Sequence, residues 1–188
     1  APLNTNAASD TGSDRYPHVT TDDQGNWVAV WESTENLGGA INTDLDIFVA
    51  RSTDNGATWT PPAPLNTNAA SDAANAPDED AHISTDGQGH WLAVWTAGKF
   101  SGTDKDVLSA RSADNGITWS DPAPVNTNAA TDTRSDADSQ IVTDGLGNWL
   151  ATWVSVNDLA GSGNDGDIAV ARSTDNGSTW TDPTLLNT

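Results

Sequence analysis

This chain contains the octad Ser52-Thr53-Asp54-Asn55-Gly56-Ala57-Thr58-Trp59, and the same pattern returns at residues 112–119 and 173–180. The three octads begin 60 and 61 residues apart. A repeat of that length copies a whole supersecondary unit, so the chain is predicted to be an array of similar units. The copying extends beyond the octads, because residues 63–72 repeat residues 1–10 letter for letter.

The composition excludes several classes of partner. The 188 residues include 27 acidic and 7 basic side chains, which gives a formal net charge of −20. Nucleic-acid binding requires clustered Lys and Arg that displace counterions, so nucleic acid is excluded as a partner. No apolar run approaches the roughly 18 residues of a membrane span, and no membrane partner is expected. The chain has no cysteine, so disulfides and thiolate metal sites are excluded as well.

Each repeat has four short apolar runs separated by turn residues, a pattern typical of β-strands. Glycine-containing segments at 22–26, 86–90 and 144–148 are predicted to join the first two strands of each repeat as tight hairpins. Each repeat is therefore predicted to be a four-stranded antiparallel meander. The predicted strands are 18–21, 27–33, 46–52 and 58–66, then 82–85, 91–96, 106–112 and 118–126, then 140–143, 149–155, 167–173 and 179–187.

The second strand of each repeat is apolar on both faces. In the first repeat, Trp27, Ala29 and Trp31 occupy one face while Val28 and Val30 occupy the other. An antiparallel sheet with one wet face alternates apolar with polar residues, so two apolar faces indicate a sheet packed between two others. Radial stacking in a β-propeller satisfies this demand, and a β-sandwich is the alternative. The predicted divisions are a redundant outer-strand segment with a linker (1–16), blade 1 (17–67), a linker (68–80), blade 2 (81–127), a linker (128–138) and blade 3 (139–188).

Each octad is predicted to be a closed turn. The Asp side chain accepts backbone hydrogen bonds, the Gly takes the left-handed conformation, and the Trp folds back as an apolar plug. The octads resemble the Asp-box, or bacterial neuraminidase repeat, of sialidase-like β-propellers. The resemblance implies a propeller fold and a structural role, away from any active site, for Ser52, Asp54, Gly56, Thr58, Trp59, Ser112, Asp114, Gly116, Thr118, Trp119, Ser173, Asp175, Gly177, Thr179 and Trp180.

The catalytic groups that the resemblance implies are mostly missing. Sialidases of this kind use an arginine triad, a Tyr nucleophile paired with a Glu, and an Asp acid/base. The single tyrosine, Tyr16, stands in Arg15-Tyr16-Pro17, which departs from the Phe/Tyr-Arg-Ile-Pro signature. Arg51, Arg111 and Arg172 precede the octads at the same place in every repeat, so they are not expected to converge on one carboxylate. No catalytic residue is predicted.

Paired aspartates before the third strand of each repeat are candidate calcium ligands. Carboxylates two residues apart supply oxygen atoms, with further aspartates in the neighbouring linkers. The alternative is that the second Asp of each pair fixes the strand entry by bonding backbone amides. No cofactor is required, and Ca²⁺ is the one metal that the pattern favours. The pairs are Asp44 and Asp46, Asp104 and Asp106, and Asp165 and Asp167; the linker aspartates are Asp10, Asp14, Asp72, Asp78, Asp132, Asp136 and Asp138.

Three blades do not close a ring at ordinary propeller geometry, and neither outer blade has a polar cap. A homodimer joined head to tail gives six blades, and a trimer with nine blades is the alternative. Residues 1–5 copy an outer strand that residues 184–188 also supply, so the two segments are expected to compete. The predicted function is a non-catalytic, self-assembling scaffold. The alternatives are a fragment of an exo-sialidase-type glycoside hydrolase and an extracellular glycan- or protein-binding module. The chain is expected to be secreted or extracytoplasmic.

Overall fold

The computed structural model describes residues 3–73, 75–98, 100 and 104–187, and none of these residues is in an α-helix. Twelve strands form three four-stranded sheets in which neighbours in the chain pair antiparallel. The prediction of an all-β chain with three four-stranded antiparallel blades is confirmed. Blade 1 consists of β1 (Asp14–Thr21), β2 (Trp27–Ser33), β3 (Asp46–Ser52) and β4 (Ala63–Pro64); blade 2 of β5 (Asp78–Thr85), β6 (Trp91–Gly98), β7 (Lys105–Ser112) and β8 (Ala123–Pro124); blade 3 of β9 (Asp136–Thr143), β10 (Trp149–Ser155), β11 (Asp167–Ser173) and β12 (Thr184–Leu185).

Successive blades stack through apolar cores. The side chains of Val28 and Val30 on β2 are fully buried against blade 2, where Trp91 and Trp95 cover them. The second core repeats this arrangement between blades 2 and 3. The prediction that the second strand lies between two other sheets is therefore confirmed for β6 in the middle blade. Strand β2 has a blade on one side only, and Leu3, Ile41 and Trp59 pack against its other face. At each of the two junctions the preceding blade contributes an aliphatic face and the following blade a tryptophan face. The aliphatic faces consist of Val28, Val30, Ile47 and Leu65, then Leu92, Val94, Val107 and Val125; the tryptophan faces consist of Trp91, Ala93, Trp95, Leu108 and Ala110, then Trp149, Ala151, Trp153, Ala169 and Ala171.

The two outermost faces of the stack have no neighbouring blade. Val19, on the tryptophan side of blade 1, is 48% exposed, whereas Ile83 at the same position of blade 2 is 3% exposed. On the aliphatic side of blade 3, Ile168 is 40% and Leu186 is 58% exposed. Their counterparts in blades 1 and 2, which are Ile47, Leu65, Val107 and Val125, are fully buried.

The first strand of each blade begins four residues earlier than predicted, at 14, 78 and 136 instead of 18, 82 and 140. Each of these strands contains a β-bulge, where the pairing register shifts and one residue takes a positive φ. A bulge changes the direction of the strand without ending the pairing, and the residue types at these positions did not indicate it. The bulged residues are Tyr16, Asp80 and Asp138, with φ values of 49°, 56° and 55°.

The prediction of nine-residue fourth strands at 58–66, 118–126 and 179–187 is wrong, because β4, β8 and β12 each contain only two residues. In blade 1, Thr60 N donates to Arg51 O at 2.9 Å and Leu65 N donates to Ile47 O at 2.6 Å. Between these bonds stand Pro61, Pro62 and Pro64. Proline has no backbone N–H, so the outer ladder is interrupted along its length.

Candidate functional site: octad turns and interblade junctions

Each octad is closed by its own side chains. In the first octad, Asp54 Oδ1 accepts hydrogen bonds from Ser52 Oγ at 2.7 Å and from Thr58 N at 2.8 Å, while Asp54 Oδ2 accepts one from Thr58 Oγ1 at 2.6 Å. Gly56, at φ 78°, donates its N–H to Ser52 Oγ at 2.9 Å. Asp114 and Asp175 make the same bonds in the other two octads. The carboxylates are therefore occupied within their own turns.

These hydrogen bonds act on the acidity of the octad carboxyls. The Thr58 hydroxyl and amide, with Ser52, lower the pKa of Asp54 to about 2. Thr179 and Ser173 lower the pKa of Asp175 to about 2 in the same way. Hydrogen bonds to the charged form favour ionisation, so these aspartates stay charged at neutral pH.

The second and third octads also contact the preceding blade. A Cβ added to Gly116 would lie 2.9 Å from Val28 Cγ2 of blade 1, and one added to Gly177 would overlap Leu92 of blade 2. Arg51 Nη1 donates to Asn115 O at 3.5 Å. Trp119 and Trp180 pack against the two interblade cores, and Trp59 packs beside Trp31 and Phe48. The octads are thus part of the contact between blades.

The residues expected for sialidase chemistry are dispersed. Tyr16 is 64% exposed at the bulge of β1, and Arg15 lies 3.9 Å from Glu32 in an ion pair. Arg51 stands on β3, on the far side of β2 from Tyr16. Arg51, Arg111 and Arg172 each pair with an apolar residue of the adjacent second strand, at one register position per blade.

Buried asparagines bridge successive blades, which the sequence did not indicate. Asn66 Nδ2 donates to Asp46 Oδ1 of blade 1 and to Asp78 Oδ2 of blade 2, both at 2.7 Å. Asn66 Oδ1 accepts the Ile47 N–H at 3.1 Å. The asparagine therefore bonds the backbone amide at the strand entry, the role that the alternative interpretation gave to the second Asp of each pair. Asn126 makes the same three bonds at the second junction, to Asp106, Asp136 and Val107.

The candidate metal ligands gather at these junctions. One carboxylate oxygen from each of Asp46, Asp72 and Asp78 lies within 4.8 Å of the others, and so do oxygens from Asp104, Asp106 and Asp132. Asp44 adjoins the first cluster, since its charge acts on Asp46, Asp72 and Asp78. Asp165 and Asp167 stand at the outer end of blade 3, apart from these two clusters.

Burial makes the junction carboxyls hard to ionise. Burial raises the pKa of Asp46 to about 7, with the charges of Asp72 and Asp44 adding to the effect. Burial and then the charge of Asp46 raise the pKa of Asp78 well above its usual range. At the second junction, burial and then the charge of Asp136 raise the pKa of Asp132 to about 7. Ionising these carboxyls in both clusters is therefore unfavourable unless a positive charge lies close by.

Each of the two ends of the stack has part of the hydrogen-bond pattern found at the internal junctions. At the start of blade 1, Asn4 Nδ2 donates to Asp14 Oδ2 at 2.7 Å, as Asn66 does to Asp78. At the end of blade 3, Asn187 Nδ2 donates to Asp167 Oδ1 at 2.7 Å, as Asn66 does to Asp46. Ala1, Pro2 and Thr188 lie outside the described residues, as do residues 99 and 101–103 of the variable loop at 97–103.

The inner strands β1, β5 and β9 bring a further polar group together. The His18 and His82 rings lie 4.6 Å apart between centroids, and Gln140 Nε2 lies 2.9 Å from His82 Nε2. Burial lowers the pKa of both histidines, and His18 lowers that of His82 further.

No helix among the described residues is long and apolar enough to cross a membrane.

No protein-family model and no curated protein sequence matches this chain. Solved structures do match its fold. The Hadza microbial sialidase Hz136 is 20% identical with a TM-score of 0.59, over 89% of this chain and 36% of that one. Trypanosoma rangeli sialidase is 18% identical with a TM-score of 0.57, over 90% and 30%. The GH93 alpha-L-arabinofuranosidase of Fusarium graminearum is 15% identical with a TM-score of 0.59, over 92% and 50%. The chain spans a third to a half of these proteins and shares the propeller-blade fold of sialidase-like glycosidases.

Proposed function

We propose that this chain is a non-catalytic, self-assembling propeller scaffold, in which two copies joined head to tail form a six-bladed ring. One observation carries the proposal: Asn187 on Asp167 and Asn4 on Asp14 are the two halves of the bridge that Asn66 and Asn126 complete inside the chain. A second copy presents to each end the half that is missing there. Two heterologous contacts of this kind close a ring.

The exposed apolar faces of blades 1 and 3 also favour a second copy of the chain as the partner. The aliphatic face of blade 3 exposes Ile168 and Leu186, whose counterparts at both internal junctions are fully buried. The tryptophan side of blade 1, where Val19 is exposed, is the surface that such a face covers elsewhere in the chain. Burying apolar area contributes about 25 cal/mol per Å², so ring closure has a driving force at both contacts.

The outer strand of blade 3 is better placed to complete the contact than the N-terminal copy. Strand β12 pairs with β11, and Leu186 N continues the pairing by donating to Ile168 O at 2.8 Å. Leu3 and Asn4 form no strand; Leu3 packs near Trp31 in the position that Leu65 takes against blade 2. In the closed ring we therefore expect Leu186 and Asn187 of one copy to displace Leu3 and Asn4 of the other.

The net charge of −20 opposes association between two copies. Salt screens this repulsion over roughly 10 Å at 0.1 M, while the apolar contact is unaffected. Assembly is therefore expected to strengthen with ionic strength, opposite to the behaviour of a contact held by surface ion pairs. An extracytoplasmic medium of moderate to high salt suits such a protein.

Native mass spectrometry and light scattering test the assembly at micromolar concentration. The expected species is a dimer, with a trimer as the nine-bladed alternative. Ile168→Lys places a charge in the contact and is expected to yield monomers. Ile117→Lys is the matched control, since Ile117 is 59% exposed in the second octad and lies at a junction already formed within the chain. A wild-type monomer at these concentrations would overturn the proposal.

The fold likeness to sialidases and an arabinofuranosidase favours one competing function, a fragment of a sialidase-type glycoside hydrolase. A fluorogenic sialoside distinguishes the two. We expect no turnover by the purified dimer, because Tyr16 is exposed at a bulge and Arg51 stands two strands away. Turnover that Tyr16→Phe abolishes would replace the scaffold with an enzyme. Retention on a glycan array without hydrolysis would support a binding module instead, with the loops at 35–43, 97–103 and 157–164 as the recognising surface.

A further inference from the structure

The junction between blades 1 and 2 contains a group of buried oxygen atoms without hydrogen-bond partners. Asp46 is 1% exposed and contributes an oxygen to the cluster with Asp72 and Asp78. Its Oδ2 atom is buried and accepts no hydrogen bond, and the same holds for Asp44 Oδ1, Asp72 Oδ2 and Asn68 Oδ1. A buried carboxylate oxygen without a donor is costly unless a cation neutralises it. Among the described residues, no Lys or Arg forms an ion pair with these aspartates.

The junction between blades 2 and 3 contains a similar group on three equivalent side chains. Both carboxylate oxygens of Asp104, together with Asn128 Oδ1 and Asp132 Oδ1, are buried without a partner. Asp104, Asn128 and Asp132 correspond in the repeat to Asp44, Asn68 and Asp72. At both junctions, therefore, oxygen atoms of these three equivalent side chains are buried without a hydrogen-bond partner, although not always the same oxygen of each carboxylate. This repetition points to a common occupant of the two places.

The bridging asparagines orient these oxygens. Asn66 holds one oxygen of Asp46 and one of Asp78 with its amide group, and Asp46 Oδ2 is left free to bind elsewhere. Ala76 N donates to Asp44 Oδ2 at 3.2 Å, and Asn42 Nδ2 lies 3.3 Å from Asp72 Oδ1, so these two aspartates also keep one oxygen unbonded. Hydrogen bonds that hold the second oxygen of each ligand are the usual support of a metal site.

We propose that each junction between blades binds one calcium ion, held by Asp44, Asp46, Asn68, Asp72 and Asp78 at the first and by Asp104, Asp106, Asn128, Asp132 and Asp136 at the second. Calcium takes six to eight oxygen ligands at about 2.3–2.6 Å, so two ligands on opposite sides of the ion stand about 4.8 Å apart. The clustered oxygens lie within 4.8 Å of one another.

The ligand chemistry separates calcium from other ions. The donors are carboxylate and amide oxygens without His or Cys, which disfavours zinc and the softer transition metals. Magnesium demands a smaller octahedral shell and keeps its waters, whereas the ligands here are numerous and come from separate loops. A divalent cation also neutralises the charge that burial makes unfavourable in these clusters.

A third site is divided between the ends of the stack, and this part of the inference rests on the proposed function. Asp167 is 8% exposed with an unpartnered Oδ2 at the end of blade 3. The complementary set, Asn6 with its unpartnered Oδ1, Asp10 and Asp14, lies at the start of blade 1. Head-to-tail closure brings Asp165 and Asp167 of one copy to Asn6, Asp10 and Asp14 of the other. Calcium is therefore expected to strengthen the dimer.

Calcium titration of chelator-treated protein tests the two internal sites. In the monomeric Ile168→Lys variant we expect two ions per chain by native mass spectrometry and calorimetry, and a melting temperature that rises with CaCl₂ and returns on chelation. Asp46→Asn is expected to lower the affinity at the first junction at least tenfold and to leave one ion per chain. Asp46→Asn with Asp106→Asn is expected to abolish binding at both.

Two controls distinguish a variant that fails to fold from one that fails to bind calcium. Asp46→Asn removes a buried charge while keeping the side-chain shape, so the calcium-free variant is expected to melt no lower than the wild type. Asp23→Asn, at an exposed turn position, removes the same charge and is expected to keep both ions. Absence of any heat or melting shift at millimolar calcium in the monomeric variant would overturn the inference. Dimer formation measured in chelator reports on the proposed function separately.

Discussion

The side-chain amide of Asn4 donates to Asp14 Oδ2 at 2.7 Å, the distance at which Asn66 meets Asp78 between blades 1 and 2. Residues 3 and 4 therefore occupy, at the open end of blade 1, the place that a preceding blade's outer strand occupies inside the stack. Asn4 lacks the second partner that Asp46 gives to Asn66. Asn4 therefore makes, within one chain, only one of the two amide hydrogen bonds that form a bridge between blades.

Removing residues 1–5 is expected to strengthen the dimer. The deletion takes away the bond from Asn4 to Asp14 and the contact of Leu3 with blade 1, both of which the incoming strand β12 must otherwise displace. A charge-assisted hydrogen bond contributes about 1.5–3 kcal/mol when buried and less in the exposed setting here, so the dissociation constant is expected to fall about tenfold. Sedimentation equilibrium measures it. Asn4→Ala tests the bond alone, and a weaker dimer after deletion would mean that the N-terminal copy itself forms the contact.

Substitutions at the octad glycines test how closely successive blades approach each other. Gly177 has φ 75°, and a Cβ there would overlap Leu92 of blade 2. Gly56 has φ 78° but meets only Trp59 of its own octad, at 3.8 Å. Both alanine variants incur left-handed strain of about 1 kcal/mol, and overpacking adds about 1–3 kcal/mol at Gly177 alone. Urea unfolding of the monomeric protein is expected to show a larger loss for Gly177→Ala than for Gly56→Ala.

The proposed dimer adds a close contact between blades at the first octad. In a closed ring, Gly56 faces Leu150 of the other copy, as Gly177 faces Leu92 within the chain. Gly56→Ala is therefore expected to weaken dimerisation more than it lowers the stability of the monomer. Equal effects of Gly56→Ala on monomer stability and on the dimer would contradict the head-to-tail arrangement.

The octad aspartates are expected to destabilise the protein in acid. The pKa of Asp175 is about 2 in the folded chain and about 3.9 in an unfolded one, so its contribution to the free energy of unfolding is present above about pH 3.9 and lost as the pH falls through about 2. Asp175→Asn keeps most of the turn's shape and removes the titration. The difference in unfolding free energy between wild type and variant, measured by urea unfolding, is expected to shrink from pH 5 to pH 2.

The octads and the central strands were predictable because local chemistry determines them. Asp54 finds its partners Ser52 and Thr58 two and four residues away, and the turn closes without help from the rest of the chain. The second strands were recognisable because apolar residues such as Val28 and Trp31 stand in one short run and are buried on both faces. The bulge at Tyr16 and the interrupted outer ladder depend on neighbours in space, and the sequence carried little signal for either.

The junction site was only partly predictable for the same reason. The pair Asp44 and Asp46 stands out in the sequence, and the linker residue Asp72 was among its expected partners. Asn66 did not stand out, because it lies 20 residues from Asp46 and 12 from Asp78 and occurs in a stretch that reads as an ordinary turn. The strict recurrence of Asn66 at 126 and 187, with Asn4 in the copied segment, was the available signal.

The histidine pair on the inner strands is expected to make stability depend on pH near neutrality. Ile83 N donates to His18 Nδ1 at 3.4 Å, which requires that nitrogen to be unprotonated, and the His82 ring lies against His18 at 4.6 Å. Burial lowers the pKa of His18, so the unfolded chain binds more protons once the pH falls below about 6.5. The free energy of unfolding is therefore constant in this respect above about pH 6.5 and decreases as the pH falls below it.

His18→Gln tests this coupling with a residue that the protein already uses, since Gln140 occupies the equivalent position in blade 3. The variant removes one titrating ring and the charge that a protonated His18 would place beside His82. Its free energy of unfolding, from urea curves between about pH 5 and pH 8, is expected to fall less steeply with acidity than that of the wild type. His90→Asn is the matched control, because His90 lies in a hairpin beside Asp86, and Asn26 and Asn148 hold that place in the other blades. If His18→Gln and the wild type show the same slope, the stacked pair does not titrate as a unit, and the inner strands tolerate a charge there.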